Sequence, residues 1–456
     1  NSYDLSLDRK KLVIRKRDTF SIVDANAAPA EMDGKTVDLS RWRFSLTPVK
    51  EWRQMYTDAW RLLRDYFYAP NMHGVNWNKM RDKYAPLVER VRTRAELNDV
   101  LGQLSGELST LHHFVQGGDT RGPSDDVAIA SLGAELVRDA VGYRVERVYD
   151  FDPDEPSAVP PLARPGVDVV AGDIIESING VPTLAAEPAA LLRGKAGQQV
   201  LLRVKPAGGG DARDVIVVPV STGDAADMRY TEWQYTRRKI VEEQGKGEIG
   251  YVHLRNMGGG EITRWTKNFF PVYNRKGLIV DVRRNTGGNI DSWILGQLIR
   301  KPWMYWASRV SDESSWNMQL AFRGHMVVLC DQFTASDGEA FAEGFRRLGL
   351  GKVIGMRTWG GEVWLSASNR LTDNGAATAG ETGVFGPDGD GKNIWLIEGH
   401  GVDPDIVVDN LPHATFKGED AQLAAAIKHL QETIAAKPLP DAKAPKWPDK
   451  SIENNR

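Results

Sequence analysis

The feature that most constrains the fold is a set of three short segments in the second half of the chain that are apolar throughout. They comprise residues 249–254, 277–282 and 325–330. Strands without a polar face are typical of a sheet that helices cover on both sides. Helical patterns at residues 292–298 and 339–348 follow the second and third segments, so that strands and helices alternate. The sequence therefore predicts an α/β domain over residues 225–436, with a last helix at residues 421–435.

A serine just after the third apolar segment is the first candidate for chemistry. Ser336 follows a short polar turn and precedes a helical pattern that begins at Gly338. The first N–H groups of a helix lack intrahelical partners and the helix dipole is positive there, so an anion that forms beside Ser336 is stabilised. This layout suits an activated nucleophile with part of an oxyanion hole. It equally suits a serine that only caps the helix, which is the commoner role, and this stretch alone leaves both interpretations open.

Three further segments contain residues that such a nucleophile requires. Gly287 and Gly288 follow the second apolar segment, where paired glycines permit close approach of a substrate to backbone N–H groups. His112 lies just past a predicted helix that ends near residue 108, and Glu398 lies in a glycine-rich loop. Each has an ordinary structural interpretation when taken alone, since glycine pairs mark turns and a single histidine or glutamate is most often structural.

Together, the four segments resemble the tail-specific serine peptidases, and within them the tricorn protease branch. The strings that carry the resemblance are Thr110-Leu111-His112, residues 281–288, Ala335-Ser336-Asp337-Gly338, residues 348–361 and residues 398–405. They occur in the family's order, and the resemblance covers residues 52 to about 430. It implies a serine peptidase that cleaves short peptides without a metal or cofactor. It also implies a mixed, multi-domain α/β protein whose catalytic part has a ClpP/crotonase-like fold.

The resemblance gives each candidate residue a role. Ser336 is the nucleophile, and His112 is the base that takes its proton, since imidazole titrates in the required range. Glu398 orients the histidine, in the family through a serine that precedes it. The backbone N–H groups of Gly288 and Asp337 form the oxyanion hole, where loss of one donor typically costs roughly 2.7–4 kcal/mol of barrier.

The chain departs from the family at the position before the histidine. The family's serine is replaced by Leu111, whose side chain cannot relay a hydrogen bond. We therefore expect Glu398 to reach His112 directly, through water or not at all. His113 and His400 are close in sequence to the proposed site and are secondary candidates for a direct contribution.

A second departure concerns the pocket for the residue before the cleaved bond. Tricorn enzymes prefer basic residues there, which an acidic side chain binds. Counted from the glycine pair, the matching position is Trp306, and Gly287 is expected to line the same pocket. Tryptophan cannot neutralise a buried lysine or arginine as a carboxylate does, although a cation–π contact remains open. We therefore predict a preference for apolar or small residues.

The chain divides into five predicted parts. They are a β-hairpin with a linker at residues 1–46, a helical subdomain that carries the histidine at residues 47–122, a PDZ-like β domain at residues 127–222, the α/β peptidase domain at residues 225–436 and a loose tail at residues 437–456. The PDZ resemblance rests on residues 131–136 and 171–181. PDZ domains bind a peptide as an added strand, and a structural module without a ligand is the open alternative.

The start of the chain has the alternation of a β-hairpin, with a polar turn at residues 8–11. A hairpin alone is marginal in water. This one resembles the last piece of a β-propeller blade, and tricorn-like proteins carry β-propellers before the catalytic part. We therefore expect the chain to be a fragment. Its compartment then rests on resemblance, which implies the cytoplasm, with the periplasm as the open alternative.

Composition limits the partners. The net charge is −3 and no basic cluster is interleaved with aromatic residues, so no nucleic-acid partner is expected. No apolar run reaches the ~20 residues that span a bilayer, so no membrane partner is expected either. The single cysteine, Cys330, cannot form an internal disulfide and fits a small core residue. The expected partners are peptide substrates and further copies of the chain, since tricorn-like enzymes form hexamers.

Two other functions remain open at this point. One is an inactive, peptide-binding PDZ scaffold, in which Leu111 is the trace of lost catalysis. The other is a hydrolase of thioester-type substrates on a related sheet fold. That reaction fits the glycine loop but leaves Ser336 without a role.

Overall fold

The computed structural model describes residues 2–30, 32–120, 122, 127–366, 370–440, 442–451 and 453. The chain forms two compact units, Asn1–Tyr56 and Thr57–Arg456. All of the candidate site residues belong to the second unit.

The described α-helices are α1 (Pro48–Tyr66), α2 (Trp77–Val88), α3 (Arg94–Gly106), α4 (Pro188–Leu191), α5 (Thr222–Gln244), α6 (Gly260–Phe269), α7 (Asp291–Leu298), α8 (Asp337–Arg347), α9 (Pro412–Phe416) and α10 (Ala421–Ala436). Short 3-10 helices lie at Met72–Gly74, Pro156–Ala158 and Pro161–Ala163.

The first twelve strands are β1 (Ser2–Leu5), β2 (Lys11–Lys16), β3 (Thr19–Asp24), β4 (Val115–Gln116), β5 (Ala130–Ser131), β6 (Ala134–Arg138), β7 (Tyr143–Val148), β8 (Ile174–Ile178), β9 (Val181–Pro182), β10 (Val200–Lys205), β11 (Arg213–Val217) and β12 (Val220–Ser221). The others are β13 (Ile249–His253), β14 (Gly277–Asp281), β15 (Tyr305–Ser308), β16 (Ser311–Trp316), β17 (His325–Cys330), β18 (Gly351–Gly355), β19 (Trp364–Ser366), β20 (Ala376–Ala377), β21 (Ala379–Thr382), β22 (Phe385–Pro387), β23 (Asn393–Trp395) and β24 (Ile406–Val407).

The first unit contains a three-stranded antiparallel sheet in the order β1-β2-β3. The predicted hairpin is confirmed as β1 and β2, with Tyr3 opposite Ile14. The third strand was not predicted. The turn that leads into it contains Arg17 at φ 54°, and arginine gives no sequence signal for a positive φ.

The helical region ends in the loop that carries His112. Thr93 caps α3 as its spacing predicts, because its hydroxyl accepts a hydrogen bond from the N–H of Glu96 at 3.2 Å. A buried ion pair between Arg94 and Asp373, at 2.5 Å, joins the start of this helix to a loop in the last third of the chain. Because α3 ends at Gly106, the residues that follow are free to leave the helical direction and run toward the α/β domain.

The PDZ-like region forms a six-stranded sheet. Five strands follow the order β11-β10-β8-β7-β6, and β9 pairs with β8. Buried residues such as Val145, Ile175 and Leu202 form its own hydrophobic core. This core shares no residue with the two cores of the α/β domain, so the region has its own centre of packing.

The α/β domain is built on a parallel sheet in the order β13-β14-β17-β18-β24. Alternate residues face opposite sides, so that Val280 packs with α6, α7 and α8 whereas Ile279 packs with α5 and α10. The predicted apolar strands, the helices that follow them and the last helix are confirmed, with ends shifted by one or two residues. Cys330 is fully buried in the first of these cores, as expected.

The order of the sheet brings two of the candidate segments together. Strands β14 and β17 are direct parallel neighbours, so their carboxyl ends lie at the same edge. The glycine loop follows β14 and the Ser336 turn follows β17. Below this edge, the buried side chain of Arg283 forms ion pairs with Asp281 at 2.7 Å and Asp420 at 2.8 Å, which anchor the start of the glycine loop.

Within the described part of the chain, no helix is both long and apolar enough to cross a membrane. The same residues contain no group of three or more histidine, cysteine, aspartate or glutamate side chains arranged to hold a metal ion.

Candidate active site

Ser336 lies between β17 and α8 in an unusual backbone conformation. Its φ is 53° and its ψ is −130°, a region that non-glycine residues rarely adopt. Such a conformation costs on the order of 1–3 kcal/mol and persists only where the surrounding structure imposes it. Ordinary N-cap residues have β-region angles instead. The conformation therefore favours a positioned hydroxyl over a simple helix cap.

The glycine loop packs directly against this serine. A Cβ atom on Gly287, whose φ is 82°, would lie 2.5 Å from the Cβ of Ser336 and 3.0 Å from its hydroxyl. Asn285 fixes the loop, since its side-chain oxygen accepts the N–H of Gly287 at 2.9 Å. The backbone oxygen of Asn285 also accepts the N–H of Ala335 at 2.8 Å. The glycine loop and the Ser336 turn are thus joined by close contacts that leave no space for a side chain at Gly287.

The backbone N–H groups of Gly288, which follows the glycine that contacts Ser336, and of Asp337, which follows Ser336, are the predicted oxyanion donors. Gly288 forms an isolated parallel β-bridge with Met257. The hydrogen bonds of this bridge are made by the residues on either side of Gly288: the N–H of Met257 donates to the oxygen of Gly287 at 2.8 Å, and the N–H of Asn289 donates to the oxygen of Met257 at 2.7 Å. In a parallel bridge of this kind the N–H of the central residue points away from the partner strand. Asp337 is the first residue of α8, so its N–H has no intrahelical acceptor. Neither N–H donates a hydrogen bond within the described ranges.

A buried carboxylate, Glu339, holds the backbone of the serine. It accepts hydrogen bonds from the N–H of Ser336 at 3.1 Å, of Gly360 at 2.7 Å and of Gly361 at 2.9 Å. It also accepts the hydroxyl of Thr358. Burial raises the pKa of Glu339, and these hydrogen bonds oppose the shift. Sequence reasoning gave Glu339 no role, although the spacing of Ser336 and Glu339 is that of a capping box.

His112 is held by a backbone carbonyl. Its Nδ1 lies 2.7 Å from the oxygen of Val363, so Nδ1 carries the proton and Nε2 is left as the acceptor. Burial lowers the pKa of His112, while the Val363 carbonyl and the charge of Glu398 act against the shift. The ring meets Trp359 edge-on at 5.7 Å between ring centroids. The backbone N–H of Trp359 donates to the carbonyl oxygen of Thr334 at 3.0 Å. The imidazole is therefore predominantly neutral at pH 7, and Trp359 connects it to the turn that precedes Ser336.

Glu398 binds backbone N–H groups around the histidine, a contact that the sequence did not indicate. One carboxylate oxygen accepts the N–H of Leu111 at 2.7 Å. The other accepts the N–H of Glu362 at 2.7 Å and of Val363 at 3.0 Å. No hydrogen bond joins Glu398 to the imidazole among the described residues, and its role in orienting His112 stays a prediction. Glu398 thus holds the N–H of the residue before His112 and two N–H groups of the distant segment whose Val363 carbonyl contacts the ring. The side chain of Leu111, which is 47% exposed, takes no part.

Residues 360–363, here called the linking segment, connect the two halves of the site. The N–H groups of Gly360 and Gly361 bind Glu339, which also holds Ser336. The next two N–H groups, of Glu362 and Val363, bind Glu398. The carbonyl of Val363 then accepts the proton of the histidine. Four consecutive peptide groups thus set the position of the imidazole relative to the hydroxyl.

Two further carboxyl groups lie in the same region. Asp337 accepts hydrogen bonds from the N–H of Ile290 at 2.7 Å and of Asp291 at 3.1 Å, which tie the start of α7 to the Ser336 turn. Burial, together with the charge of Asp291, raises the pKa of Asp337 to about 6. Burial and neighbouring carboxylates raise the pKa of Glu362 to about 9. Sequence reasoning missed Glu362, and a glutamate in a glycine-rich loop carried no signal for burial.

Other predicted residues lie apart from this arrangement. Trp306 is 44% exposed on the hairpin of β15 and β16, opposite Ser315. It has no hydrogen bond or ring contact with the site among the residues that the structure describes, and its role as a pocket residue stays a prediction. The Nε2 of His113 accepts the N–H of Gly380 at 3.1 Å, and burial lowers the pKa of His113 to about 4. His400 pairs with Asp403 on the surface at 2.7 Å.

Comparison with family models gives three matches along the chain. A model of the tricorn protease C1 domain matches residues 48–106 and a model of the tricorn protease PDZ domain matches residues 130–222. A model of peptidase family S41 matches residues 248–408. The linking segment and the positions of Gly288, Ser336 and Glu398 all fall within the last match.

Curated relatives and one solved structure agree with these matches. The chain is 35% identical over 448 residues to tricorn protease homolog 1 of Streptomyces coelicolor, covering 96% of this chain and 41% of the relative. It is 33% identical to a putative tricorn-like protease C-terminal subunit of Sulfurisphaera tokodaii, covering 94% and 50%. A crystal structure of the tricorn protease matches with a TM-score of 0.85 and 30% identity, over 95% of this chain and 41% of that one. The chain thus spans half or less of the length of these proteins.

Proposed function

Because the chain belongs to the tricorn protease branch of the S41 serine peptidases, we propose that it hydrolyses peptide bonds through an acyl-enzyme on Ser336. The observation that carries the proposal is the linking segment. It joins the backbone of Ser336, through Glu339, to the carbonyl that holds His112. A hydroxyl and a neutral imidazole are thereby held to one short stretch of backbone.

The proposed chemistry follows from the protonation state of the histidine. Its Nε2 accepts the proton of the Ser336 hydroxyl as the oxygen forms a bond to the substrate carbonyl carbon. The negative charge moves to the carbonyl oxygen, where the N–H groups of Gly288 and Asp337 donate to it. The protonated His112 then gives its proton to the leaving amine as the C–N bond breaks. Water attacks the acyl-enzyme by the same route and restores the hydroxyl.

Glu398 supports this cycle through the backbone. When His112 becomes an imidazolium, its positive charge is stabilised by the carboxylate of Glu398, which already raises the pKa of His112 relative to burial alone. The three N–H groups that Glu398 accepts keep the histidine loop against the linking segment. Leu111 does not need a hydroxyl for this role. No observation within the described residues favours the inactive scaffold.

Labelling with a fluorophosphonate probe tests the proposal. We expect covalent labelling of the chain, mapped by mass spectrometry to Ser336, and no labelling of Ser336→Ala. Ser292→Ala is the matched control, because Ser292 is an exposed serine on the neighbouring helix α7 and its loss should leave labelling unchanged. A correctly folded wild-type chain that does not react would contradict the proposal.

The finer parts of the proposal rest on the family. The substrates are short peptides, with an apolar or small residue before the cleaved bond in a pocket that includes Trp306 and Gly287. A library of chromogenic peptides checks this preference, and a strong preference for lysine or arginine would contradict it. We further propose a homo-oligomer, a hexamer as in tricorn-like enzymes, that works in the cytoplasm. Light scattering of the purified chain measures its assembly.

The division of the chain is also part of the proposal. We propose that the helical region supplies the base, the PDZ-like domain shapes access to the site and the α/β domain supplies the nucleophile. The sheet of β1, β2 and β3 is proposed to resemble part of a β-propeller blade, as the family resemblance implies.

A further inference from the structure

The side chain of Glu362 lies at the centre of the proposed site, and the mechanism above gives it no role. The residue is only 3% exposed, and its Oε2 has no hydrogen-bond partner in the described part of the chain. Its own N–H binds Glu398, and the preceding N–H, of Gly361, binds Glu339. A buried acid therefore lies on the linking segment, between the groups that hold Ser336 and those that hold His112.

The charged groups that act most strongly on Glu362 are all acids. Two of them, Asp337 and Glu339, lie on α8, Asp291 begins α7, and Glu398 lies on the loop after β23. Each of these raises the pKa of Glu362, and burial raises it most. The acceptor sites of Glu339 are filled by four donors, so it offers Glu362 no further ordinary hydrogen bond as an acceptor.

Ionisation of Glu362 would damage this arrangement in two ways. A buried carboxylate without a partner is strongly unfavourable, so the linking segment would have to move to bring the charge into water. Movement of residue 362 would displace the N–H groups that hold Glu398 and the neighbouring carbonyl that holds His112. A new negative charge near Asp337 would also oppose the oxyanion, which needs the positive end of α8.

We propose that Glu362 is a positioning residue that works as an uncharged carboxylic acid, and that loss of its proton to solvent switches the site off at alkaline pH. This inference rests on the proposed function, since it concerns the same nucleophile and base. The side chain fills its buried position and keeps the linking segment in place. It does so without adding a fifth negative charge to the four carboxyl groups around it.

The rate of fluorophosphonate labelling between pH 5 and pH 10.5 tests the inference. For the wild type we expect a reversible fall above about pH 9, where Glu362 loses its proton. Glu362→Gln copies the neutral acid, so it should label at pH 8 within about threefold of the wild type and should not show the alkaline fall. Glu362→Ala should label at least about tenfold more slowly at every pH, since it removes the packing as well.

A control variant and three possible outcomes distinguish failure of this inference from failure of the proposed function. Glu419→Gln makes the same chemical change at an exposed position and should behave as the wild type. An alkaline fall that persists in Glu362→Gln would overturn the inference. A Gln variant that is as slow as the Ala variant at pH 8 would overturn it as well, because the site would then need the anion. Absence of labelling in the wild type at every pH would instead contradict the proposed function.

Thermal unfolding provides a second measurement that does not need activity. The folded state holds the proton of Glu362 well above the pH at which the unfolded chain releases it. The stability that the neutral acid contributes is therefore complete below pH 4.5 and is lost progressively up to about pH 9. The difference in unfolding temperature between Glu362→Gln and the wild type should grow in favour of the variant over this range. A difference that does not change with pH would overturn the inference.

Discussion

The proposed nucleophile, Ser336, and the proposed base, His112, are held in place by different means. Ser336 lies where two neighbouring parallel strands end, and Gly287 touches it with no intervening side chain. His112 lies on a loop beyond α3, and its acceptor is 251 residues away along the chain. Ser336 is thus fixed by the sheet itself, whereas His112 is fixed by hydrogen bonds between segments that are remote in sequence.

Because of this difference, the two sides of the site should differ in how they tolerate substitutions. Around the proposed nucleophile, a Cβ added to Gly287 would meet the Cβ and hydroxyl of Ser336 and the carbonyl oxygen of Ala335, so a substitution must move the backbone. On the base side, the contacts are hydrogen bonds to the carboxylate of Glu398 and to one carbonyl. We therefore expect substitutions next to Ser336 to abolish nearly all activity, and substitutions around His112 to reduce activity in part.

The largest effect is expected for Gly287→Ala. The new Cβ would lie 2.5 Å from the Cβ of Ser336 at a φ of 82°, so the serine or the loop must shift, and the adjacent oxyanion donor shifts with it. Labelling and peptide hydrolysis should fall by roughly 10³-fold. Gly296→Ala is the control, since a Cβ at that position in α7 meets nothing within 4 Å. A fall of less than tenfold for Gly287→Ala would contradict the idea of a rigid nucleophile side.

The next effect is expected for Glu398→Gln. The amide keeps the shape of the side chain but replaces one acceptor oxygen with a donor, so at least one of the N–H groups of Leu111, Glu362 and Val363 loses its partner. The resulting freedom of the histidine should lower kcat by roughly 10²-fold with little change in KM. Steady-state kinetics on a cleaved peptide measure this. A change confined to KM would show that Glu398 acts on substrate binding instead.

A smaller effect concerns the fall in kcat/KM at acidic pH, called here the acid limb. Burial lowers the pKa of His112 from its usual value of 6.5, and only the neutral imidazole accepts a proton. The wild-type limb should therefore have its midpoint below pH 6.5. The charge of Glu398 acts to raise the pKa of His112, so Glu398→Gln should move the limb to still lower pH although it slows the reaction. A shift to higher pH would contradict this account of the base.

The smallest effect is expected for Leu111→Ser, which restores the residue that the family has before the histidine. The N–H of residue 111 already binds Glu398 at 2.7 Å, so an added hydroxyl duplicates a connection that exists. Activity should change by less than about fivefold, since a neutral hydrogen bond contributes about 1 kcal/mol. Leu111→Ala, which removes the side chain and keeps the N–H, should also remain active. A large gain with serine would mean that the backbone route is insufficient.

The same contrast explains what could be predicted from the sequence. The apolar strands and the helix after Ser336 follow from local patterns, and the topology of a parallel sheet brings Gly287 to the serine. The contact of Glu339 with the backbone of Ser336 could have been predicted, because the two residues have the spacing of a capping box. The roles of Glu362 and Val363 could not be predicted, because they depend on where the loop of His112 meets a distant segment. These contacts use backbone N–H and carbonyl groups, which almost every residue type has, so the sequence does not reveal them.

The use of the Leu111 peptide group has a consequence for recognising related enzymes. An amide hydrogen is present in every residue except proline, so mutation of the side chain does not remove the donor. A search that requires serine before the histidine would discard such a chain as inactive. A more reliable criterion for this lineage is a glutamate in register with Glu398, together with a non-proline residue at the position before the base.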